Sequence, residues 1–175
     1  MACFKVKQYS IIIPTLNEAA AIQDCLIALQ PLRDQCEIII ADGGSVDATY
    51  KNSTALVDFF ISTTKGRALQ MNAGAQQASA DILIFLHADT MLPDHALQLI
   101  QQGIDAGAQW GRFDIQLVGQ HPMLTVVAQM MIWRSRLTGI ATGDQVIFMT
   151  QQAFHMKPKN YTKSYTFLLA SIRLN

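Results

Sequence analysis

Three acids in this sequence stand just beyond hydrophobic runs: Glu18 after Ile11–Ile13, Asp42 after Ile38–Ala41, and Asp89 after Ile82–Leu86. A carboxylate so placed, with phosphate oxygens and a few waters, can complete the octahedral shell of Mg²⁺ or Mn²⁺. Asp89, in "DILIFLHADTMLP", suits that role. His87, two positions earlier, faces the same side if the strand runs on through Ala88. It is then a second ligand, more natural for Mn²⁺ than for Mg²⁺, or a donor to phosphate. Both residues fit equally well as the polar end of a strand, with Asp89 capping the next turn.

Asp42 opens "DGGSVD". A strand-end carboxylate there can hold a ribose or nucleobase, while Gly43 and Gly44 let the backbone approach a ligand. An ordinary Asp-Gly turn uses the same residues, and the segment is not a P-loop, since Gly-Lys-Ser/Thr is missing. In "KGRALQMNAGAQQAS", Arg67 and Asn72 stand near a helix start, where free amides and a guanidinium suit a phosphate or a base, or face solvent. Asp144, in "ATGDQVIF", is an acceptor-side acid or a turn carboxylate. No Gly-x-Ser-x-Gly elbow and no Cys/His pairing supplies a hydrolase nucleophile.

The elements that position these groups alternate. Ile11–Ile13, Ile38–Ala41, "VDFFIST" and Ile82–Leu86 read as strands without polar alternation, each followed by a helical pattern, the last from about residue 94 to residue 106. Such strands belong to a parallel sheet covered on both faces. Thr15 and Glu18 fit a capping box for the first helix, Pro31 marks its stop, and Asp47 is a candidate cap for the second. Beyond Trp110 the character changes: "FDIQLV" alternates like a half-exposed, antiparallel strand, and residues 122–137 suit a Met-rich helix ending in Arg134 and Arg136. In open α/β sheets ligands bind beyond the carboxyl ends of the strands, so Asn17, Glu18, Asp42, His87 and Asp89 are expected to converge on one crevice.

The 175 residues suffice for one domain with a sizeable core, and neither linker nor repeat divides them. Thirteen basic and thirteen acidic side chains cancel, leaving no overall field to favour nucleic acid. Cys3, Cys25 and Cys36 lack zinc or disulfide spacing and read as idle thiols. With no signal-peptide core and no long apolar span, the chain is expected to be cytoplasmic, or peripheral at the inner face of the membrane.

In chain order, "SIIIPTLNEAAAI", "IIIADGGSVDAT", "KGRALQMNAGA", "ILIFLHADTMLP" and "TGDQVIF" resemble family 2 glycosyltransferases of the GT-A fold, closest to a small bacterial subgroup whose metal motif reads His-Ala-Asp-Thr. The resemblance covers about residues 9–154. It implies a Rossmann-like, mostly parallel central sheet with helices on both faces. It also implies inverting transfer from a nucleotide-diphosphate sugar, a UDP-sugar by preference, to a hydroxyl on a lipid or small molecule, assisted by Mg²⁺ or Mn²⁺. Pro14, Thr15, Asn17 and Glu18 would border the nucleotide pocket, with Asp42 and Gly43 at the nucleoside and Arg67 and Asn72 beside it. Asp89 would be the metal-binding acid of a DxD-like motif, with His87 in place of its first Asp.

Residues 1–109 then form a donor half, 110–154 an acceptor half, and 155–175 an atypical tail. Similar proteins continue into Gly-Gly-Phe and Glu-Asp segments that supply the base. Here no Asp or Glu follows Asp144, which leaves Asp144 as the candidate base. The expectation is a truncated or frame-shifted ending, impaired catalysis, and self-association to cover exposed apolar surface. A catalytically silent nucleotide-binding module is the alternative, and a nucleotidyltransferase a further one.

Overall fold

The computed structural model describes residues 7–118, 146–156 and 164–173, with side chains for 7–113 and 146–156. The first four strands are β1 (Tyr9–Thr15), β2 (Cys36–Asp42), β3 (Phe59–Ser62) and β4 (Ile82–Phe85). Between them lie α1 (Ile22–Leu29), α2 (Thr49–Ser53) and α3 (Arg67–Gln77). A two-residue strand β5 (Thr90–Met91), α4 (Ala96–Asp105), β6 (Trp110–Val118), β7 (Ile147–Thr150), α5 (Gln151–His155) and β8 (Ser164–Arg173) follow.

The strands form one sheet in the order β3-β2-β1-β4-β7-β6-β8-β5. β3, β2, β1 and β4 are mutually parallel. β7 then enters antiparallel to both β4 and β6, so the reversed strand is β7 and not the FDIQLV strand expected after Trp110, which runs in the same sense as β4 and parallel to β8. The chain moves outward from β1 through β2 to β3 and returns on the other side of β1 as β4. That reversal opens a crevice beyond the carboxyl ends of β1, β2 and β4.

Burial explains the apolar runs. Ile11, Ile13, Ile38, Ile40, Ile82 and Ile84 face one side, against Leu26 and Leu29 of α1 and Leu97 and Ile100 of α4. Their neighbours Ile12, Ile39, Leu83 and Phe85 face the other, against Ala75 and, just past α3, Ala78. With both faces covered, polar alternation has no place in these strands. On the α3 side the approach is close: a Cβ on Gly74 would lie 2.4 Å from Ile12 Cγ2, so only glycine lets the helix settle on β1.

Two local expectations are corrected. Thr15 and Glu18 form no capping box: Thr15 remains the last residue of β1, paired with Asp42, and α1 begins only at Ile22 without a side-chain cap. An intervening turn, with Asn17 at φ 58°, uses up the residues that the box would need. Nor is Asp47 the cap of α2: that position is Ala48, without a side-chain bond, and Asp47 sits one residue earlier, its carboxylate accepting from Thr49 N at 3.0 Å. Cys25 and Cys36 are buried free thiols, each pushed up to about 12 by burial, as idle thiols should be. Residues 122–137, with Arg134 and Arg136, lie outside the described residues. Among the described residues no helix is long and apolar enough to cross a membrane.

Candidate active site

The register brings Thr15 and Asp42 side by side at the ends of β1 and β2. Asp42 is only 5% exposed, and its carboxylate is fully engaged. Oδ1 accepts from the Thr15 hydroxyl at 3.0 Å and from the Ser45 hydroxyl, and Oδ2 from Gly44 N at 3.0 Å and Ser45 N at 2.8 Å. Burial alone would raise its pKa; the donors from Ser45, Thr15 and Gly44 outweigh it and hold the carboxyl below the usual range. The "DGGS" turn is thus an anion wrapped by its own loop. Gly44, at φ 93°, takes the backbone conformation that the wrap demands.

A second set of bonds laces this loop to the one after β1. Asn17 N donates to Ser45 Oγ at 2.8 Å and Asn17 Oδ1 accepts from Val46 N at 2.9 Å. Glu18 N donates to Thr49 Oγ1 at 2.8 Å, and Ala19 N to Asp47 Oδ2 at 3.1 Å. Pro14 is buried in β1 opposite Ala41, so the segment from Pro14 to Glu18 is fixed at both ends.

β4 stops at Phe85. Leu86 N still bonds Ile12 O at 3.0 Å, but Thr90 N then bonds His87 O at 3.0 Å, closing a turn over His87, Ala88, Asp89 and Thr90. The strand alternation expected to align His87 with Asp89 is therefore replaced by turn geometry. Ala88 is buried, His87 is half-buried and Asp89 is exposed, its Oδ1 accepting only a 3.2 Å bond from the Thr90 hydroxyl among the bonds described for it. The Cys25 thiol backs the turn, 3.9 Å from His87 O and 3.8 Å from Thr90 O.

Arg67 is the first residue of α3, exposed, and preceded by Gly66 at φ 146°. Asn72 is exposed two residues beyond the buried Gln70, on the face of α3 turned away from that side chain. The residue that sequence reasoning missed is Gln70 itself, 4% exposed. Its Nε2 donates to Thr15 O at 2.6 Å and Ala41 O at 3.0 Å, and its Oε1 accepts from Gly66 N at 3.4 Å. Its only sequence signal was a long polar side chain three residues after Arg67, within one turn of the same helix.

Electrostatics ties the loops together. The Glu18 carboxyl is raised above its ordinary value, first by burial, then by the negative charges of Asp89 and Asp47, with the Arg67 guanidinium pulling the other way. Glu18 therefore lies within electrostatic reach of both Asp89 and Arg67. Asp42 joins them through the laced loops, whereas Asp144 lies outside the described residues. Among the described residues no three His, Cys, Asp or Glu side chains could cage a metal by themselves. The exposed hard oxygens of Asp89 still fit Mg²⁺ or Mn²⁺, cations that take much of their shell from phosphate and water. A separate cleft of about 550 Å³ between α1 and α4, lined by Tyr9, Cys25, Leu29, Met91 and Leu97, includes none of the four charged residues.

The fold is that of the GT-A glycosyltransferases. Mannosyl-3-phosphoglycerate synthase from Rubrobacter xylanophilus superposes with a TM-score of 0.73 at 13% identity, covering 97% of this chain and 68% of that one. Glucosyl-3-phosphoglycerate synthase from Mycobacterium tuberculosis, in complex with Mn²⁺, UDP and glucosyl-3-phosphoglycerate, superposes at 0.64 with 16% identity, covering 97% and 73%. At such identities the likeness defines the fold.

The chain belongs to glycosyl transferase family 2, whose model matches residues 10–122. A PGL/p-HBAD biosynthesis glycosyltransferase of M. tuberculosis is 39% identical over 93 residues, 48% of this chain and 36% of the relative. Glucosyl-3-phosphoglycerate synthase of that species is 31% identical over 97 residues, 48% and 29% of the two chains. The chain thus matches about a third of the length of these curated relatives.

Proposed function

We propose that the crevice binds a UDP-sugar and a divalent cation, Mn²⁺ or Mg²⁺, for inverting transfer of the sugar to an acceptor hydroxyl. The observation that carries this reading is that Glu18, Asp42 and Asp89 stand at or just past the carboxyl ends of the adjacent parallel strands β1, β2 and β4, with Glu18 in electrostatic reach of Asp89 and of Arg67 at the start of α3. The Asp42 loop and the Pro14–Glu18 segment hold the nucleoside, Arg67 faces the diphosphate, and Asp89 is the protein ligand of the cation, with His87 beside it. A divalent cation there offsets the charge of the departing diphosphate. The chemistry needs no covalent enzyme intermediate: a carboxylate within hydrogen-bond reach removes the acceptor proton as the oxygen attacks the anomeric carbon, and Asp144 is assigned that task. Residues up to 109 serve the donor and residues 110–154 the acceptor.

Structural neighbours that carry Mn²⁺ with UDP or UDP-glucose support the choice of donor and metal. The acceptor is left as a hydroxyl on a lipid or small molecule. The test is thermal unfolding with UDP and a panel of UDP-sugars, with and without Mn²⁺. Ligand at about 100 times its Kd contributes roughly 2.7 kcal/mol, a rise of about 5–10 °C for a chain of this size. Native protein should show that rise only with metal, and Asp89→Ala should lose it while keeping its unliganded Tm within about 2 °C. Absence of any nucleotide-dependent shift in the native protein would sink the reading.

A further inference from the structure

We infer that Gln70 is a positioning residue for nucleotide binding: its buried carboxamide sets the spacing between the three backbone segments that carry Asp42, Glu18 and Arg67. The inference rests on the nucleotide-sugar reading above. A glutamine on the inner face of a helix is costly to bury unless its amide is satisfied. Here both Nε2 hydrogens are used, one on Thr15 O at 2.6 Å and one on Ala41 O at 3.0 Å, which are carbonyls of two adjacent strands just before those strands give way to the site loops. Its Oε1 receives Gly66 N, the residue before Arg67. One planar group therefore bridges the end of β1, the end of β2 and the entry to α3.

Two further observations show how tightly the bridge is built in. Thr15 O also accepts Gly43 N at 2.9 Å, so Gln70 and the glycine turn share an acceptor. A Cβ on Gly43 would come within 3.1 Å of Gln70 Cδ and Nε2, so the carboxamide lies directly against the backbone that follows Asp42. The hydroxyl of the same Thr15 donates to Asp42. Any shift of the amide displaces the acid, its loop and the helix start together.

The experiment measures the affinity of the 175-residue chain for UDP with Mn²⁺ by calorimetry, well below the Tm of every variant. Gln70→Met keeps the length and removes both donors. Gln70→Glu keeps the size and turns an acceptor-only carboxylate toward two carbonyls, so either variant alone carries the test. Glu37→Ala, at the opposite end of β2, is the control for general destabilisation. The expected result is an affinity weakened about tenfold or more in each Gln70 variant, and an unchanged affinity in Glu37→Ala despite an equal or larger fall in Tm. Native affinity in the Gln70 variants, with only Tm lowered, would overturn the inference and leave the nucleotide reading standing. Failure of the native chain to bind UDP would overturn both, and that outcome is distinguishable because it appears before any substitution is made.

Discussion

β2 carries a buried carboxylate at each end, and the two are put to different uses. Glu37, its second residue, accepts from the hydroxyls of Ser10 and Ser79 and from Ser79 N at 2.6 Å. Those donors belong to β1 and to the chain just past α3, so the group fastens helix to sheet and is closed. Asp42, its last residue, is bonded as completely, but by a loop that is itself laced to Asn17, Glu18 and Ala19. What separates the two ends is the company each acid keeps. The loop that Asp42 holds is bonded to the segment bearing the half-buried Glu18, which feels the charges of Asp89, Asp47 and Arg67. A buried charge does not mark a functional site by itself; the less buried charged groups beyond it carry the proposed function.

Substitutions at the two ends should separate stability from binding. The largest loss of stability is expected for Glu37→Ala, which leaves Ser79 N without its charged acceptor. Chemical unfolding should register about 3 kcal/mol with nucleotide affinity unchanged, and a matching loss of affinity would erase the contrast. Gly74→Ala comes next. The added methyl meets Ile12 behind β1, and repacking should cost about 1–3 kcal/mol. Because α3 also carries Gln70 and Arg67, a weakened affinity is expected here too, which sharpens the view that α3 belongs to the site.

The smallest effect is a pH slope from Asp42. Its folded pKa is depressed, so its stabilisation is complete above the unfolded carboxylate value of about 3.9 and is lost as pH falls through the lower folded value. The stability gap between native protein and Asp42→Asn, on the order of 1 kcal/mol at pH 6, should therefore close in strong acid. A gap that widens on acidification would mean that the sign of the shift is wrong.

Much of this was legible in the sequence, for physical reasons that also mark where legibility stops. The unalternating isoleucines announce strands covered on both faces, because a polar residue there must bury a partner with it, as Ser10 and Glu37 do. Asp42 and Asp89 stand out because they stand at or just past the points where such strands leave the core. Gln70 was hidden. In a helix of small residues it reads as surface, and its burial depends on two carbonyls 29 and 55 residues away in the chain. The Thr15–Glu18 capping box misled for a similar reason: pairing with β2 holds Thr15 in the strand, and local helix chemistry cannot outbid it. His87 escaped strand geometry because the backbone bond from Thr90 folds the segment back two residues past Phe85.

The short strand β5, next to the turn that holds Asp89, has its partner far away: Thr90 pairs with Ile172 and Met91 with Ser171. The Asp42 loop, by contrast, is laced to Asn17 across 28 residues. During synthesis from the amino terminus the loops after β1 and β2 can therefore join early, and Gln70 can fix them once α3 has left the ribosome, while the strand beside the Asp89 turn waits for residues 171 and 172. A nascent chain stalled before that point would hold the Asp42 and Asn17 loops already laced together and an unpaired edge next to Asp89, so translation itself sets the order in which the two regions are completed.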